Sequence, residues 1–201
     1  MRGGQAKVLS EPDIRRLLKV ASHSRHPLRN KVIVLLSVRA GLRASEIARL
    51  DWSMVTDGRG RVGRVIELPG RVVKYGMGRR VPLHAELRAA LVALRREAGA
   101  FGRSGPVVVS ERGGGGDGPS LPMTPKAVVN WFTAACREGG LEGCSSHSGR
   151  RTFVTKAARL VQKAGGSLRD VQLLAGHRSI ETTQAYIEGD ADIQRRLVRM
   201  M

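Results

Sequence analysis

A chain of 201 residues with 41% hydrophobic content is long enough to bury a core of its own, which excludes a miniprotein held together by disulfides or a metal. Its 35 Lys and Arg against 17 Asp and Glu leave a net charge of +18 and a pI near 11.5, more than solubility requires, so a polyanion such as nucleic acid is the expected partner. Cys136 and Cys144 have no companion pair, the N-terminus has no apolar signal segment, and no apolar run approaches the roughly 20 residues of a spanning helix; a cytoplasmic protein without metal, cofactor or membrane is expected.

Residues 1–10 form a short basic arm without periodicity, expected to be disordered. Ser10 then caps a helix with Ile14, Leu17, Leu18 and Ala21 on one face. A second helix is predicted from about Arg29 to Ala40, and its run VIVLLSV is too apolar for a surface element. Gly41 ends it. In the following GLRASEIARLDW, Arg43 lies in a tight link with Ser45 and Glu46 in the next first turn, beside N–H groups that favour an anion. Taken alone, Arg43 reads equally well as a solvated partner of Glu46.

From Met54 to Leu83 the pattern changes to short β-branched runs, RVGRVIELP, RVVK and RRVPL, which predict a small antiparallel sheet. One side of it should be strongly positive, because Glu67 stands alone among Arg59, Arg61, Arg64, Arg71, Lys74, Arg79 and Arg80. Lys74 precedes the turn YGMG, where an ammonium can swing into a neighbouring site, although most hairpin-tip lysines are merely solvated. A helix from Leu83 to Ala98 buries Leu87, Leu91 and Leu94, and VVVS reads as a short strand. The loop RGGGGDGPSLP is not a nucleotide-binding glycine loop, since no Gly-Lys-Ser/Thr follows it.

Thr124 caps a helix, with Pro125 at its first position, that points Val128, Phe132 and Ala135 inward. CSSHSGRRTFVTKAARLV opens the next, which Gly165 and Gly166 end; His147 and Arg150 share a face of its first turn. Gly149 in that turn costs about 1 kcal/mol relative to Ala, which suggests that something approaches the backbone closely. Then comes LLAGHRSIETTQAYIE, where Gly176 stops one helix, Ser179 caps a short one from Thr182 to Ile187, and Tyr186 follows His177 by nine residues. A tail helix from Asp190 to Met201 would carry Ile193, Leu197 and Val198 on one stripe.

Each of these groups has a plain structural reading by itself. Together Arg43, Lys74, His147, Arg150, His177 and Tyr186 supply two guanidiniums, an ammonium, two imidazoles and a phenol, without a carboxylate pair or a metal-ligand set. Such a set suits phosphoryl transfer without a metal, since two arginines can stabilise the charge that gathers on the nonbridging oxygens of a phosphodiester under attack. Tyr75, beside a turn and without a histidine at useful spacing, is the weaker nucleophile.

The motifs GLRASEI, KYGMGRRVPL, HSGRRTF and LLAGHRSIETTQAY, in that order, resemble the catalytic domain of the tyrosine recombinases, also called the phage integrase family. The resemblance runs from about Leu9 to Tyr186. It implies a mainly α fold with a small, three-stranded antiparallel β-sheet (α+β), organised as an arm at 1–10, a catalytic domain at 11–188 and a tail helix at 189–201. It also implies that Tyr186 attacks a DNA phosphate to form a 3′-phosphotyrosyl bond without metal or ATP. Arg43 and Arg150 would hold the phosphate, Lys74 would protonate the leaving 5′-oxygen, His147 would act in proton transfer with Tyr186, His177 would hydrogen-bond the phosphate, and Glu46 would orient Arg43.

Double-stranded DNA is the expected partner, contacted by Arg79, Arg80, Arg151 and Arg178, with self-assembly on DNA through the tail, a tetramer being one expected form, and an accessory protein as a further expected partner. Two departures from the family pattern stand out: Gly149 replaces a residue that is bulky and apolar in many relatives, and no N-terminal core-binding domain is expected ahead of residue 11. Binding from one side of the duplex, weak and steeply salt-dependent, would follow. The alternatives are a DNA-binding accessory or regulator that retains the fold, or a topoisomerase-like enzyme that nicks and reseals one duplex.

Overall fold

The computed structural model describes residues 6–73, 76–99, 104–111, 121–186 and 198–201. Helix α1 (Glu11–His23) begins where Ser10 accepts from the Asp13 N–H while Asp13 accepts from the Ser10 N–H at 2.9 Å, a reciprocal cap. It buries Ile14, Leu17 and Ala21. Helix α2 (Pro27–Ala40) starts two residues earlier than the sequence suggested, because Pro27 is pre-set for a first helical position. Every residue from Val32 to Leu36 is fully buried, so α2 is the axis around which α1, α4 (Ala85–Ala98) and α6 (Ser146–Leu160) pack. Gly41 closes α2 in the left-handed conformation, φ 64°.

A short helix α3 (Ala44–Ala48) packs on α5 (Pro125–Glu138), and a single 3-10 turn (Trp52–Met54) leads to the sheet. The sheet has two described strands, β1 (Val65–Leu68) and β2 (Arg79–Pro82), antiparallel with Ile66 opposite Val81 and Leu68 opposite Arg79. The expected middle strand differs. Val72 donates to the Pro69 carbonyl in a turn, and Val72 and Val73 satisfy their apolar character by burial in the core rather than by a ladder. The VVVS run likewise forms no strand: Val109 makes an isolated bridge with Pro122, and Pro106, just before the run, makes one with Asp51.

Helix α4 begins at Ala85 rather than Leu83 because the His84 ring accepts from the Glu86 N–H at 3.2 Å and takes the cap position. Helix α6 gives way to turns after Leu160, ahead of the glycines expected to end it. Helices α7 (Leu168–Ala175) and α8 (Ile180–Gln184) follow, and α8 stops short of Tyr186, which sits in the turn beyond it. The arm also departs from expectation: Leu9 is buried, and its N–H donates to Thr152 Oγ1 of α6 at 2.7 Å, which docks the chain onto that helix. Most of the tail, with Ile193 and Leu197, lies outside the described residues, as does most of the glycine loop. No helix among the described residues is long and apolar enough to cross a membrane.

What approaches Gly149 is α2. A Cβ there would lie 2.2 Å from Ser37 Oγ and 3.1 Å from Val38 Cγ1. Gly149→Ala would gain about 1 kcal/mol in helix propensity but overpack a fully buried crossing at about 1–3 kcal/mol, so a net loss is expected. A lower urea midpoint with an unchanged slope would confirm it; a rise would show that α2 and α6 can part without cost.

Candidate active site

Four segments meet at one end of α2. Arg43 caps α3, and its backbone N–H donates to Glu46 Oε2 at 2.8 Å while its Nη1 donates to Oε1 at 2.9 Å. Its Nη2 lies 3.5 Å from the Gly176 carbonyl, and the side chain is 22% exposed. Glu46 is wholly buried. Burial alone would raise its pKa, but the Arg79 fork and then Arg43 overcome that and hold it down at about 2.

Arg150 reaches the cluster from α6. It is 5% exposed, and it donates through Nη1 to the Gly41 carbonyl at 2.6 Å and through Nη2 to the Ala175 carbonyl at 2.7 Å. Those oxygens stand at the C-terminal ends of α2 and α7, where carbonyls lack helical partners and the helix field is negative. Burial and then the charge of Arg43 lower its pKa to about 10, so it remains a cation at neutral pH.

His177 follows the α7 stop and is also 5% exposed. Its Nδ1 lies 2.9 Å from Thr183 Oγ1, and its ring stacks on Tyr186 with centroids 5.3 Å apart and planes 20° apart. Burial, then Arg150, Arg43 and Arg79, depress its pKa to about 4, so the imidazole is neutral at pH 7. Tyr186 is half-buried; its carbonyl accepts from Thr155 Oγ1 at 3.4 Å, and its ring packs on a satellite apolar cluster around Val154, Val171 and Ala175. Three guanidiniums against one carboxylate, walled by buried groups, make this an anion receptor with a phenol at its rim. A groove of about 520 Å³ opens beside it, lined by Met77, Arg79, Arg80, Leu173, Gly176 and His177 among others.

The structure thus brings together Arg43, Glu46, Arg150, His177 and Tyr186. His147 lies in the first turn of α6, exposed, three residues before Arg150. Lys74 and Tyr75 lie outside the described residues. Of the four arginines expected on the DNA surface, Arg80 and Arg178 are exposed, and Arg80 pairs with Glu67 at 3.1 Å. Arg151 is buried. Arg79 is buried as well, its Nη1 and Nη2 donating to Glu46 at 2.9 and 2.8 Å, so it is a partner of that carboxylate instead of a surface contact. The sequence carries a signal for this: strand alternation places Arg79 on the same face as the inward Val81. Among the described residues, no group of three or more His, Cys, Asp or Glu is placed to hold a metal ion.

The depressed pKa values fix a sign for acid stability. An unfolded His177 takes up a proton near pH 6.5, whereas the folded ring resists until about 4, so stability present above 6.5 is lost as pH falls through that window. The loss amounts to roughly 3 kcal/mol. Glu46 adds a second loss between 4.5 and about 2, because its proton must enter a buried ion pair. In His177→Gln the first limb should disappear from the urea midpoint plotted against pH; persistence of the full limb would mean that this ring is not the group responsible.

The sequence profile of the phage integrase family matches residues 7–192. Among curated proteins, the chain is 30% identical over 189 residues to tyrosine recombinase XerC of Xanthomonas campestris pv. campestris, covering 92% of this chain and 52% of that protein. It is 32% identical over 188 residues to tyrosine recombinase XerD of Caulobacter vibrioides, covering 90% and 56%. The chain therefore spans about half the length of these relatives. In fold it is similar to the crystal structure of XerA recombinase, with a TM-score of 0.71 at 23% identity over 98% of this chain and 65% of that one. It is also similar to XerH site-specific recombinase bound to its difH substrate, with a TM-score of 0.66 at 20% identity over 96% and 53%. With the family profile covering nearly all of it and this fold beneath the match, the chain belongs to the phage integrase family.

Proposed function

We propose that this chain carries the catalytic centre of a site-specific DNA recombinase, which cleaves and rejoins strands through a 3′-phosphotyrosyl intermediate. The observation that supports it most is the stacking of Tyr186 on a neutral, buried His177 at the edge of the Arg43, Arg79 and Arg150 cluster. In this reading the phosphate of a DNA strand enters the anion receptor, where Arg43 and Arg150 meet its nonbridging oxygens and the neutral His177 donates one hydrogen bond. Tyr186 Oη attacks phosphorus as the bond to the 5′-oxygen breaks. The tyrosine proton passes to His147, and Lys74 delivers a proton to the departing 5′-oxygen. One phosphodiester is exchanged for another, so a second strand's 5′-hydroxyl can reverse the reaction without ATP. Arg80 and Arg178 contact flanking phosphates, which contributes affinity more than sequence selectivity.

The test is incubation with a nicked suicide DNA carrying candidate sites, from which a short 5′-ended fragment diffuses away and traps the enzyme. A covalent protein–DNA band is expected. A chain that binds DNA but never forms that band across candidate sites would instead fit a binding accessory. Lys74 has its own test: Lys74→Ala should slow cleavage of ordinary DNA by about 10² to 10⁴-fold, and a bridging 5′-sulfur, which leaves without a proton, should restore the rate. Failure of the sulfur to rescue would reduce Lys74 to a phosphate contact.

A further inference from the structure

We propose that Arg79 is a positioning residue for this site: by engaging both oxygens of the buried Glu46, it leaves the Arg43 guanidinium largely uncommitted and turned toward an incoming phosphate. The proposal rests on the reading of Arg43 as a phosphate ligand. Arg79 gets there by strand alternation, since β2 places residues 79 and 81 inward and residues 80 and 82 outward.

The geometry separates the roles of two arginines that share one carboxylate. Arg79 meets Glu46 fork to fork, Nη1 to Oε1 at 2.9 Å and Nη2 to Oε2 at 2.8 Å, and its side chain is only 6% exposed. Arg43 adds its backbone N–H at 2.8 Å and a single Nη1 at 2.9 Å. A carboxylate offers about four acceptor positions, so these four N–H groups fill it. With Glu46 saturated, Arg43 has one short side-chain bond, one long contact to the Gly176 carbonyl at 3.5 Å, and a partly exposed face.

Charge counting leads the same way. Arg79 and Glu46 form a neutral buried pair, so the charges of Arg43 and Arg150 are left to attract an anion. Were Arg79 absent, Arg43 would become the counter-ion of Glu46, and both its direction and its charge would be withdrawn from the site. Arg79 also shapes the turn that delivers His177: a Cβ at Gly176 would lie 2.9 Å from both its Cδ and its Nη1. Among the described residues its Nε is a buried donor without an acceptor, as expected of a side chain placed for its fork alone.

The groups facing Glu46 and its partners are Arg43 from α3, Arg79 from β2, Arg150 from α6, His177 from the turn after α7, and Tyr186 beyond α8. Of the influences that lower the Glu46 pKa, those of Arg79 rank ahead of those of Arg43. An ammonium at position 79 cannot reproduce two parallel bonds.

The experiment compares the full chain with Arg79→Lys and Arg79→Gln, each checked for folding by thermal melt. Three quantities are read: the Glu46 titration by carbon NMR on chain labelled at Glu carboxyl carbons, noncovalent DNA affinity, and the rate of covalent adduct on the nicked suicide DNA. In Arg79→Lys the Glu46 midpoint should rise from about 2 by roughly one pH unit or more. Affinity should stay within about threefold, because phosphate charge contacts elsewhere dominate it. The adduct rate should fall about a hundredfold, the usual consequence of a misplaced group. On a Glu46→Gln background, the added Arg79→Lys change should have little further effect on rate, since the two act as one unit.

An unchanged Glu46 titration with an adduct rate within about twofold of the unmodified chain would overturn the proposal. So would strictly additive losses with Glu46→Gln, which a merely structural arginine would show. If Arg79→Gln fails to fold, the lysine variant alone decides. If the unmodified chain forms no adduct, the cleavage reading fails, while the Glu46 titration still shows whether Arg79 governs that carboxylate.

Discussion

Tyr186→Phe should abolish the covalent protein–DNA adduct, a loss on the order of 10⁴-fold or more, while noncovalent DNA affinity stays within about threefold. The expectation follows from what one oxygen does and does not do in this fold. The phenyl ring keeps its stack on His177, 5.3 Å between centroids, and its packing on the cluster of Val154, Val171 and Ala175. The Thr155 hydroxyl donates to the backbone carbonyl of residue 186, which the substitution leaves in place. Only the hydroxyl oxygen, the nucleophile in the proposed reaction, is removed, so the melting temperature should hardly move. A surviving adduct would transfer the nucleophile to another residue, and parallel loss of binding would mean that the hydroxyl is chiefly a DNA contact.

Glu46→Ala should cost about 3–5 kcal/mol of stability, a large part of what a domain of this size possesses. The carboxylate is fully buried and accepts from the Arg43 backbone N–H, Arg43 Nη1 and both Arg79 terminal nitrogens. Removing it leaves Arg79, with a side chain 6% exposed, and the partly buried Arg43 beside Arg150, with no acid among them to offset three like charges. Surface ion pairs in the same molecule, such as Arg80 with Glu67, should be worth no more than about 1 kcal/mol. Urea unfolding at pH 7 measures the difference directly. Adding Arg79→Met to Glu46→Ala should recover part of the loss by deleting an uncompensated charge; a loss below about 1 kcal/mol for the single change would show that water or rearrangement relieves the cluster.

Much of this cluster is legible in the sequence. Arg43 and Arg150 could be placed because each stands in a helix-boundary motif, and Gly41 and Gly176 marked the stops whose carbonyls Arg150 and Arg43 use. The nine-residue step from His177 to Tyr186 was visible, but their stacking required the tertiary turn after α8. Arg79 is hidden from a reading by charge: seven cations in one stretch point to a strongly positive side of the sheet, whereas a pleated strand must send alternate residues inward. The RVVK run departs from the strand pattern for the converse reason, since β-branched residues satisfy a core without joining a ladder. Docking of Leu9 on Thr152 left no trace in periodicity, because a single buried residue next to a cap has no period.

Mapping the covalent adduct by mass tests the central claim most directly. The chain has two tyrosines, and trypsin separates them: Tyr75 lies between Lys74 and Arg79, and Tyr186 lies between Arg178 and Arg195. After trapping on nicked suicide DNA and nuclease trimming, the peptide of residues 179–195 should carry the 3′-linked nucleotide on Tyr186, and residues 75–79 should be unmodified. A nucleotide found on Tyr75, or on a serine or histidine, would contradict the account.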